Sequence, residues 1–164
     1  VTEDEDVQAD VLNYIANQKA SQLAFDSGLV ADGKDWCDIH PKTFESKLVK
    51  NVHVIGDASN AAPMPKSAFS ASTQGKVVAL QIARMLKQQE PLNPPKLANT
   101  CYSLLSPNYG ISIAAVYNAL DDKIQNVDGA GGVSPETDPD GHIRILEAKY
   151  AYAWYESQTA DIFK

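Results

Sequence analysis

The hydrophobic and polar positions of the N-terminal half predict short strands separated by loops. Two apolar segments, residues 9–15 (ADVLNYI) and 52–55 (VHVI), predict β-strands because β-branched and aromatic residues favour extended backbone. Gly28, Gly33 and Pro41 lie between them and predict mostly loop. The chain opens on VTEDEDVQADVLNYI without an initiator methionine, which indicates a piece of a longer protein that begins part-way into a strand.

The strongest periodicity lies in residues 70–89 and predicts an amphipathic helix. Four apolar side chains recur at the spacing of one helical face: Val78, Ile82, Met85 and Leu86. Three prolines follow in EPLNPPKL (residues 90–97), where they forbid helical continuation and predict an extended connector. We therefore place a domain boundary after residue 92.

Beyond the connector the pattern changes to strands and glycine-rich turns. Residues 110–117 (GISIAAVY) and 142–148 (HIRILEA) predict strands, and residues 128–141 (DGAGGVSPETDPDG) predict a mobile loop. The tail, residues 147–163, fits either a helix or a strand. Tyr150, Trp154 and Tyr155 would share one face of a helix, whereas Tyr150, Tyr152 and Trp154 would share one face of a strand. Its alanine, glutamate and glutamine content favours a helix.

Composition and charge exclude two classes of function. The 164 residues carry a net charge of −7 and a pI near 4.8, which argues against a duplex nucleic-acid binder. No apolar run approaches the roughly 20 residues that cross a bilayer, so membrane insertion is not expected. The hydrophobic content of 44% suffices for one sizeable core or two small ones.

The two cysteines, Cys37 and Cys101, are too few for a disulfide-built scaffold. Neither lies in a CxxC pair or at metal-ligand spacing from His40, His53 or His142, so a zinc site is not expected. The sequence also lacks CxxCH, so any covalently attached haem would belong to another chain.

The pair Gly56-Asp57 directly follows the predicted strand 52–55 and precedes the predicted helix. Open α/β sheets bind ligands at the carboxyl ends of their strands, and an aspartate there can accept hydrogen bonds from sugar or polyol hydroxyls. The helix start would favour an electron-rich atom. The alternatives are that Asp57 caps a turn and that Lys66 is a solvated surface charge.

Longer motifs around this turn resemble known flavoproteins. VHVIGDAS (residues 52–59) resembles the second FAD-binding fingerprint of flavoproteins with two dinucleotide-binding domains. Three further segments, in the same order, resemble the flavoprotein subunit of flavocytochrome c sulfide dehydrogenase: PMPKSAFSASTQGKVVA, NTCYSLLSPNYGISIAAVY and YAYAWYES.

The resemblance implies an α/β fold in two parts. Residues 1–92 would form the C-terminal half of a Rossmann-like FAD-binding domain. Residues 93–164 would form a smaller α+β domain that caps the flavin and docks a partner. The implied partners are the remainder of the flavoprotein chain and a c-type cytochrome subunit that carries the haem c, and the implied location is the periplasm.

The implied activity is FAD-dependent oxidation of sulfide through a redox-active disulfide, with electron transfer to the cytochrome. Cys101 would be one half of the disulfide, and Thr100 and Trp154 would lie near the flavin on the cytochrome side. Asp57 would bind the FAD ribitol, and the helix start would face the flavin ring. The implied cofactor-binding residues are Gly56, Asp57, Ala58, Lys66, Ser67, Phe69, Gln74 and Gly75.

Several family features are absent from these residues. The GxGxxG pyrophosphate motif does not occur, and the second redox cysteine of the family lies upstream in its sequence, so Cys37 is not expected to pair with Cys101. Phe69 stands where we expect relatives to have tyrosine. The isolated chain is therefore expected to bind FAD weakly and to be inactive.

Two other functions remain open at this point. One is a sulfide:quinone oxidoreductase-like flavoprotein, although the end YESQTADIFK carries little apolar surface for membrane attachment. The other is a non-catalytic partner-docking module. Without the resemblance, Cys101 and Trp154 would be ordinary core residues.

Overall fold

The computed structural model describes residues 8–163, which contain three helices, a 3₁₀ turn and one sheet. The helices and strands follow in this order: α1 (Gln22–Asp26), the Gly-Asp turn (Gly56–Ala58), α2 (Ala68–Leu86), β1 (Lys96–Ser106), β2 (Tyr109–Ala119), β3 (Ile124–Val133) and α3 (His142–Phe163). The three strands are antiparallel in the order β1-β2-β3. This agrees with the α+β organisation predicted for the C-terminal part.

The region before α2 is held together by loops and isolated β-bridges around a small core. Bridges join Cys37 to Ser59, Ile39 to Ser46 and Glu45 to His53. The side chain of Phe44 is fully buried among them. Leu97, Tyr117 and Ile124 of the sheet belong to the same apolar cluster, so the core extends across the predicted boundary at residue 92.

Both strands predicted in the N-terminal half are wrong for the described residues. Residues 9–15 are irregular, and their apolar side chains are exposed. Residues 52–55 contribute only the single bridge at His53. A strand requires a neighbouring strand to satisfy its backbone groups, and residues 8–163 provide none beside these segments. The expected Rossmann-like sheet is accordingly not observed in the described part of the chain, and the first seven residues lie outside that part.

The predicted helix at residues 70–89 is confirmed as α2, which ends at Leu86. Ser67 caps it because its Oγ accepts the N–H of Ser70 at 3.0 Å. The buried face is more polar than predicted and consists of Ser70, Gln74, Val78 and Gln81. Met85 and Leu86, which the periodicity assigned to the core, lie at the exposed end of the helix.

The strand predicted at residues 110–117 is confirmed within β2, whereas β1 was not predicted. The loop predicted at residues 128–141 is partly wrong, because its first half continues β3 and pairs with β2. Gly131 permits this pairing, since a Cβ there would clash with the Ala114 carbonyl oxygen. The described residues contain no helix apolar and long enough to span a bilayer.

The strand predicted at residues 142–148 is wrong, because these residues form the first turns of α3. The Asp138 carboxylate accepts the backbone N–H of Arg144 at 2.9 Å and so satisfies one donor of the first turn. The rest of the tail is helical, as favoured by its composition. The buried face consists of Arg144, Glu147, Ala148 and Ala151, and the helix packs on β2 and β1.

Candidate functional site

The N-terminus of α2, strand β1 and the middle of α3 enclose a largely apolar cavity of about 550 Å³, here called the aromatic cavity. Five of the predicted site residues line it: Ser67, Phe69, Thr100, Cys101 and Trp154. The remaining walls come from Ala68, Tyr102, Leu104, Ala151, Tyr152 and Tyr155. Elements far apart in sequence therefore bring these five residues to one place.

Phe69 and Trp154 stack on each other at the wall of this cavity. Their ring centroids lie 5.5 Å apart with an interplanar angle of 14°, which is an offset aromatic pair of ordinary geometry. Phe69 lies in the first turn of α2 and Trp154 in α3, so the stack joins the two helices. The cavity thus has a flat aromatic wall beside a helix N-terminus.

A buried asparagine connects the start of α2 to Cys101. The Oδ1 atom of Asn99 accepts the hydroxyls of Ser67 at 2.5 Å and Ser70 at 3.1 Å. Its Nδ2 donates to the Cys101 Sγ at 3.3 Å. Such a donor stabilises a thiolate more than a thiol. The sequence analysis did not identify Asn99, although it opens the quoted motif NTCYS.

Cys101 is a free, half-buried cysteine that faces more than one cavity. A second space of about 440 Å³ reaches it past Pro63, Pro65 and Tyr117. Burial raises the pKa of the Tyr117 phenol, and the neighbouring Cys101 adds to this shift. Burial likewise raises the pKa of Tyr102, so both phenols stay neutral at ordinary pH and can donate hydrogen bonds.

The Gly-Asp turn is held from two sides. Gly56 has φ +66°, a conformation that glycine adopts without strain, and the Oε1 of Gln74 accepts its N–H at 2.7 Å. The ammonium of Lys66 donates to the carbonyls of Asp57 at 2.5 Å and Ser59 at 2.9 Å. Lys66 is thus not merely a solvated surface charge, and because Ser67 follows it directly, it connects the turn to the start of α2.

The Lys66 ammonium also lies 3.7 Å from the centre of the Trp36 ring, a cation–π contact. Much of the Lys66 side chain is exposed, but its ammonium is enclosed by the turn and the ring. This burial lowers the pKa of Lys66, and the Asp57 carboxylate partly opposes the shift. The lysine therefore acts as a positioned donor for the turn.

Asp57 and Ala58 face a different space from Cys101. They line a cavity of about 390 Å³ together with Gln18, Lys19, Ala20, Ser21 and Trp36. Gly75 lies in α2, where a Cβ would approach the Ile55 side chain to 3.3 Å. The predicted cofactor residues therefore divide into those beside Asp57 and those in the aromatic cavity, with Lys66 and Gln74 supporting the turn.

Cys37 is fully buried and lies behind the turn. Its backbone N–H donates to the Ala58 carbonyl at 2.9 Å, and its carbonyl accepts the Asn60 N–H at 2.8 Å. Burial raises the pKa of the Cys37 thiol, with Asp38 adding to the shift and Lys66 opposing it. These contacts give Cys37 a structural position outside the aromatic cavity.

Replacing Gln74 by alanine should destabilise the protein by about 1–3 kcal/mol, because the partly buried N–H of Gly56 loses its acceptor and the buried Gln74 side chain leaves a space. Urea unfolding of the variant and the parent measures this difference. Gln89 is exposed, so the matched change Gln89→Ala should shift the free energy of unfolding by no more than about 0.5 kcal/mol. Equal effects of the two substitutions would contradict the supporting role of Gln74.

Residues 93–163 match the family model described as flavocytochrome c sulphide dehydrogenase, flavin-binding. The match contains Thr100, Cys101 and Trp154, together with the whole sheet and α3. The resemblance identified in the sequence is therefore confirmed for this C-terminal segment, and FAD is the cofactor that it supports.

The walls of the aromatic cavity fit a flavin ring. Its lining is mainly apolar and aromatic, as expected for a planar heteroaromatic system. Ser67, Ala68 and Phe69 place the first turn of α2 at its wall, where backbone N–H groups and the helix dipole favour negative charge. The residues present are thus compatible with the cofactor that the family binds.

Proposed function

We propose that this chain is the C-terminal part of a sulfide:cytochrome c oxidoreductase. The match of residues 93–163 to the flavin-binding family model of flavocytochrome c sulphide dehydrogenase supports an oxidoreductase flavoprotein role. The N-terminal part of the chain, residues 1–92, would complete a Rossmann-like FAD-binding domain contributed by the remainder of the flavoprotein. The observation that carries the proposal is the position of Cys101 in the aromatic cavity beside Phe69 and Trp154. The proposed location is the periplasm.

Cys101 would form a redox-active disulfide with a cysteine of the remaining chain. Hydrosulfide attacks this disulfide, so that one sulfur–sulfur bond forms between substrate and cysteine while the original bond breaks and releases the other cysteine as a thiolate. The hydrogen bond from Asn99 to the Cys101 sulfur would stabilise that charge if Cys101 is the leaving group. FAD, when bound, supplies the acceptor for the two electrons.

The start of α2 has an electrostatic role in this scheme. Ser67, Ala68 and Phe69 line the aromatic cavity, so the positive end of the helix dipole lies at its wall. This positive end would stabilise negative charge that develops on the cofactor during reduction. Asp57 would accept hydrogen bonds from the ribitol hydroxyls, and Lys66 would keep the turn that carries Asp57 in place.

Trp154 and Thr100 would occupy the space between the flavin and the cytochrome. Trp154 is held by its stack on Phe69, and Thr100 belongs to β1 next to Cys101. The family name implies a cytochrome partner, which favours cytochrome reduction over reduction of a membrane quinone. A non-catalytic docking role would leave the position of Cys101 in the cavity without a purpose.

The full-length flavoprotein, loaded with FAD, tests the proposal. We expect anaerobic sulfide to bleach the flavin absorbance, and we expect the reduced protein to pass electrons to a c-type cytochrome faster than to a soluble quinone. The 164-residue chain alone should retain little FAD, because the pyrophosphate motif is not among its residues. A flavin that sulfide does not reduce would refute the proposed activity, and preferred quinone reduction would support the alternative enzyme.

A further inference from the structure

A separate cavity of about 340 Å³ reaches Cys101 from between β1, β2 and the start of α3, and we call it the arginine cavity. Phe69 and Trp154 do not line it. Its apolar walls are Ile111, Ile113 and Val133, and Arg144 is its one cationic residue. The arginine cavity therefore offers a third approach to the same sulfur, besides the aromatic cavity and the space past Pro63 and Pro65.

Arg144 is almost completely buried, with 7% of its surface exposed. Its Nη1 lies 3.3 Å from the Glu147 Oε2, and its Nη2 donates to the Pro135 carbonyl. Its Nε–H has no acceptor within residues 8–163. A buried guanidinium donor without a partner is costly, so this group has capacity for a further acceptor.

Both oxygens of the Glu147 carboxylate, in contrast, have hydrogen-bond partners. Its Oε1 accepts the hydroxyls of Ser112 at 2.8 Å and Ser134 at 2.6 Å, in addition to the contact of Oε2 with Arg144. The two serine hydroxyls stabilise the negative charge of Glu147, so the guanidinium of Arg144 keeps N–H groups that do not bind this carboxylate. The pair is formally neutral, so Arg144 would hold an anion mainly through directed N–H groups in an environment of low dielectric.

Glu136 also lines this cavity and carries the same sign of charge as an anionic ligand. Its side chain is exposed, so water and salt screen it far more than they screen Arg144. Cys101 and Arg144 both line this cavity, and of its two charged lining residues only Arg144 is buried. The weakly screened guanidinium therefore favours a small anion there.

We propose that the arginine cavity binds the hydrosulfide anion before it reacts, and that Arg144 positions this anion beside Cys101. The inference rests on the proposed function, since it assigns a binding site to the substrate of that reaction. The apolar walls suit a polarisable and weakly hydrated sulfur anion, and Arg144 supplies the N–H donors that hold it. Arg144 is a positioning residue in this account.

Alkylation of Cys101 in the reduced full-length flavoprotein tests the site without turnover. Iodoacetate is anionic and iodoacetamide is neutral, so the ratio of their rates at Cys101, followed by peptide mapping, measures attraction of an anion. We expect Arg144→Gln to lower this ratio about three- to tenfold. Glu147→Gln should raise it, because the guanidinium then lacks its counter-charge.

Arg84→Gln is the matched control, since Arg84 is the other arginine of the chain and lies on α2 with its Nε donating to the Glu90 carbonyl. Its ratio should equal that of the parent. If Arg144→Gln does not fold, the rate ratio of Glu147→Gln tests the proposal instead. Both substitutions break the same ion pair, but Glu147→Gln keeps the guanidinium that would attract the anion. A ratio that is unchanged in Arg144→Gln, or that fails to rise in Glu147→Gln, overturns the proposal.

Sulfide kinetics supply the second measurement. Arg144→Gln should raise KM for sulfide about tenfold with kcat largely kept, Arg144→Lys should restore part of the affinity, and Glu147→Gln should lower KM. A loss of kcat with unchanged KM would contradict positioning of the anion. If sulfide does not reduce the parent flavoprotein at all, the proposed function is wrong, whereas the alkylation ratio still tests the anion site by itself.

Discussion

Serine in place of Cys101 should lower the rate of flavin reduction by sulfide on the order of a thousandfold or more in the full-length protein. The hydroxyl can neither form the disulfide nor leave as a thiolate, so the reaction loses its covalent step. Serine is close in size to cysteine, and the half-buried position tolerates it. FAD binding should therefore persist, and anaerobic stopped-flow absorbance gives the rate.

Cys37→Ser provides the matched control for this substitution. Cys37 is fully buried behind the Gly-Asp turn and does not line the aromatic cavity. Its replacement should reduce stability while the rate of sulfide reduction stays within about threefold of the parent. Dithionite, which does not need the disulfide, should reduce all three proteins alike. Unchanged sulfide reduction in Cys101→Ser would instead support a docking role for this part of the chain.

Alanine in place of Gly110 should destabilise the protein by about 2–4 kcal/mol. Gly110 lies in β2 directly under α3, where a Cβ would lie 2.5 Å from the Ala148 nitrogen and 2.8 Å from the Glu147 carbonyl carbon. These are backbone atoms, so no change of rotamer relieves the clash and α3 must move away from the sheet. Urea unfolding measures the loss of stability.

The same substitution should disturb the aromatic cavity, because α3 carries Trp154. A shift of the helix would weaken the stack on Phe69 and change the tryptophan fluorescence of the folded protein. Gly132→Ala is the matched control, since a Cβ at this position in β3 meets no atom within 4 Å. Equal stability of the two variants would show that α3 does not pack on β2 as closely as the structure indicates.

Helix α2 was predictable because its signal is local. Helical hydrogen bonds join residues four positions apart, so the period of the apolar side chains and the cap at Ser67 suffice to indicate it. The central strand β2 was predictable for a related reason, since its apolar residues are concentrated in one short run. Strand β1 mixes apolar and polar residues, and it exists because β2 pairs with it from Lys96 to Ser106 with one bulge.

The start of α3, in contrast, was not predictable from its local pattern. HIRILEA alternates like a strand, yet Arg144 and Glu147 become neighbours on one helical face when the segment packs on β2. The two serines that complete this cluster come from β2 and from the chain after β3. Contacts between such distant positions leave no periodic trace in the sequence.

The residues of the candidate site likewise fall into those that the sequence identified and those that only the structure revealed. Cys101, Thr100, Trp154 and the Gly-Asp turn were identified from the order of motifs, whereas Asn99 and Arg144 emerged only from their contacts. An asparagine in a polar motif or an arginine in an apolar one has no distinguishing pattern by itself. Their importance depends on burial and on hydrogen-bond partners that only the folded chain supplies.

By itself, the sequence determined the long helix, the central strand, the acidic balance of charge and the flavin-binding resemblance of the C-terminal segment. Each of these depends on neighbouring residues or on the order of motifs along the chain. Tertiary structure alone decided that Cys101 lies between an aromatic cavity and an arginine cavity. The reason is that both cavities are formed by elements distant in sequence, whose packing is governed by burial and shape rather than by local propensity.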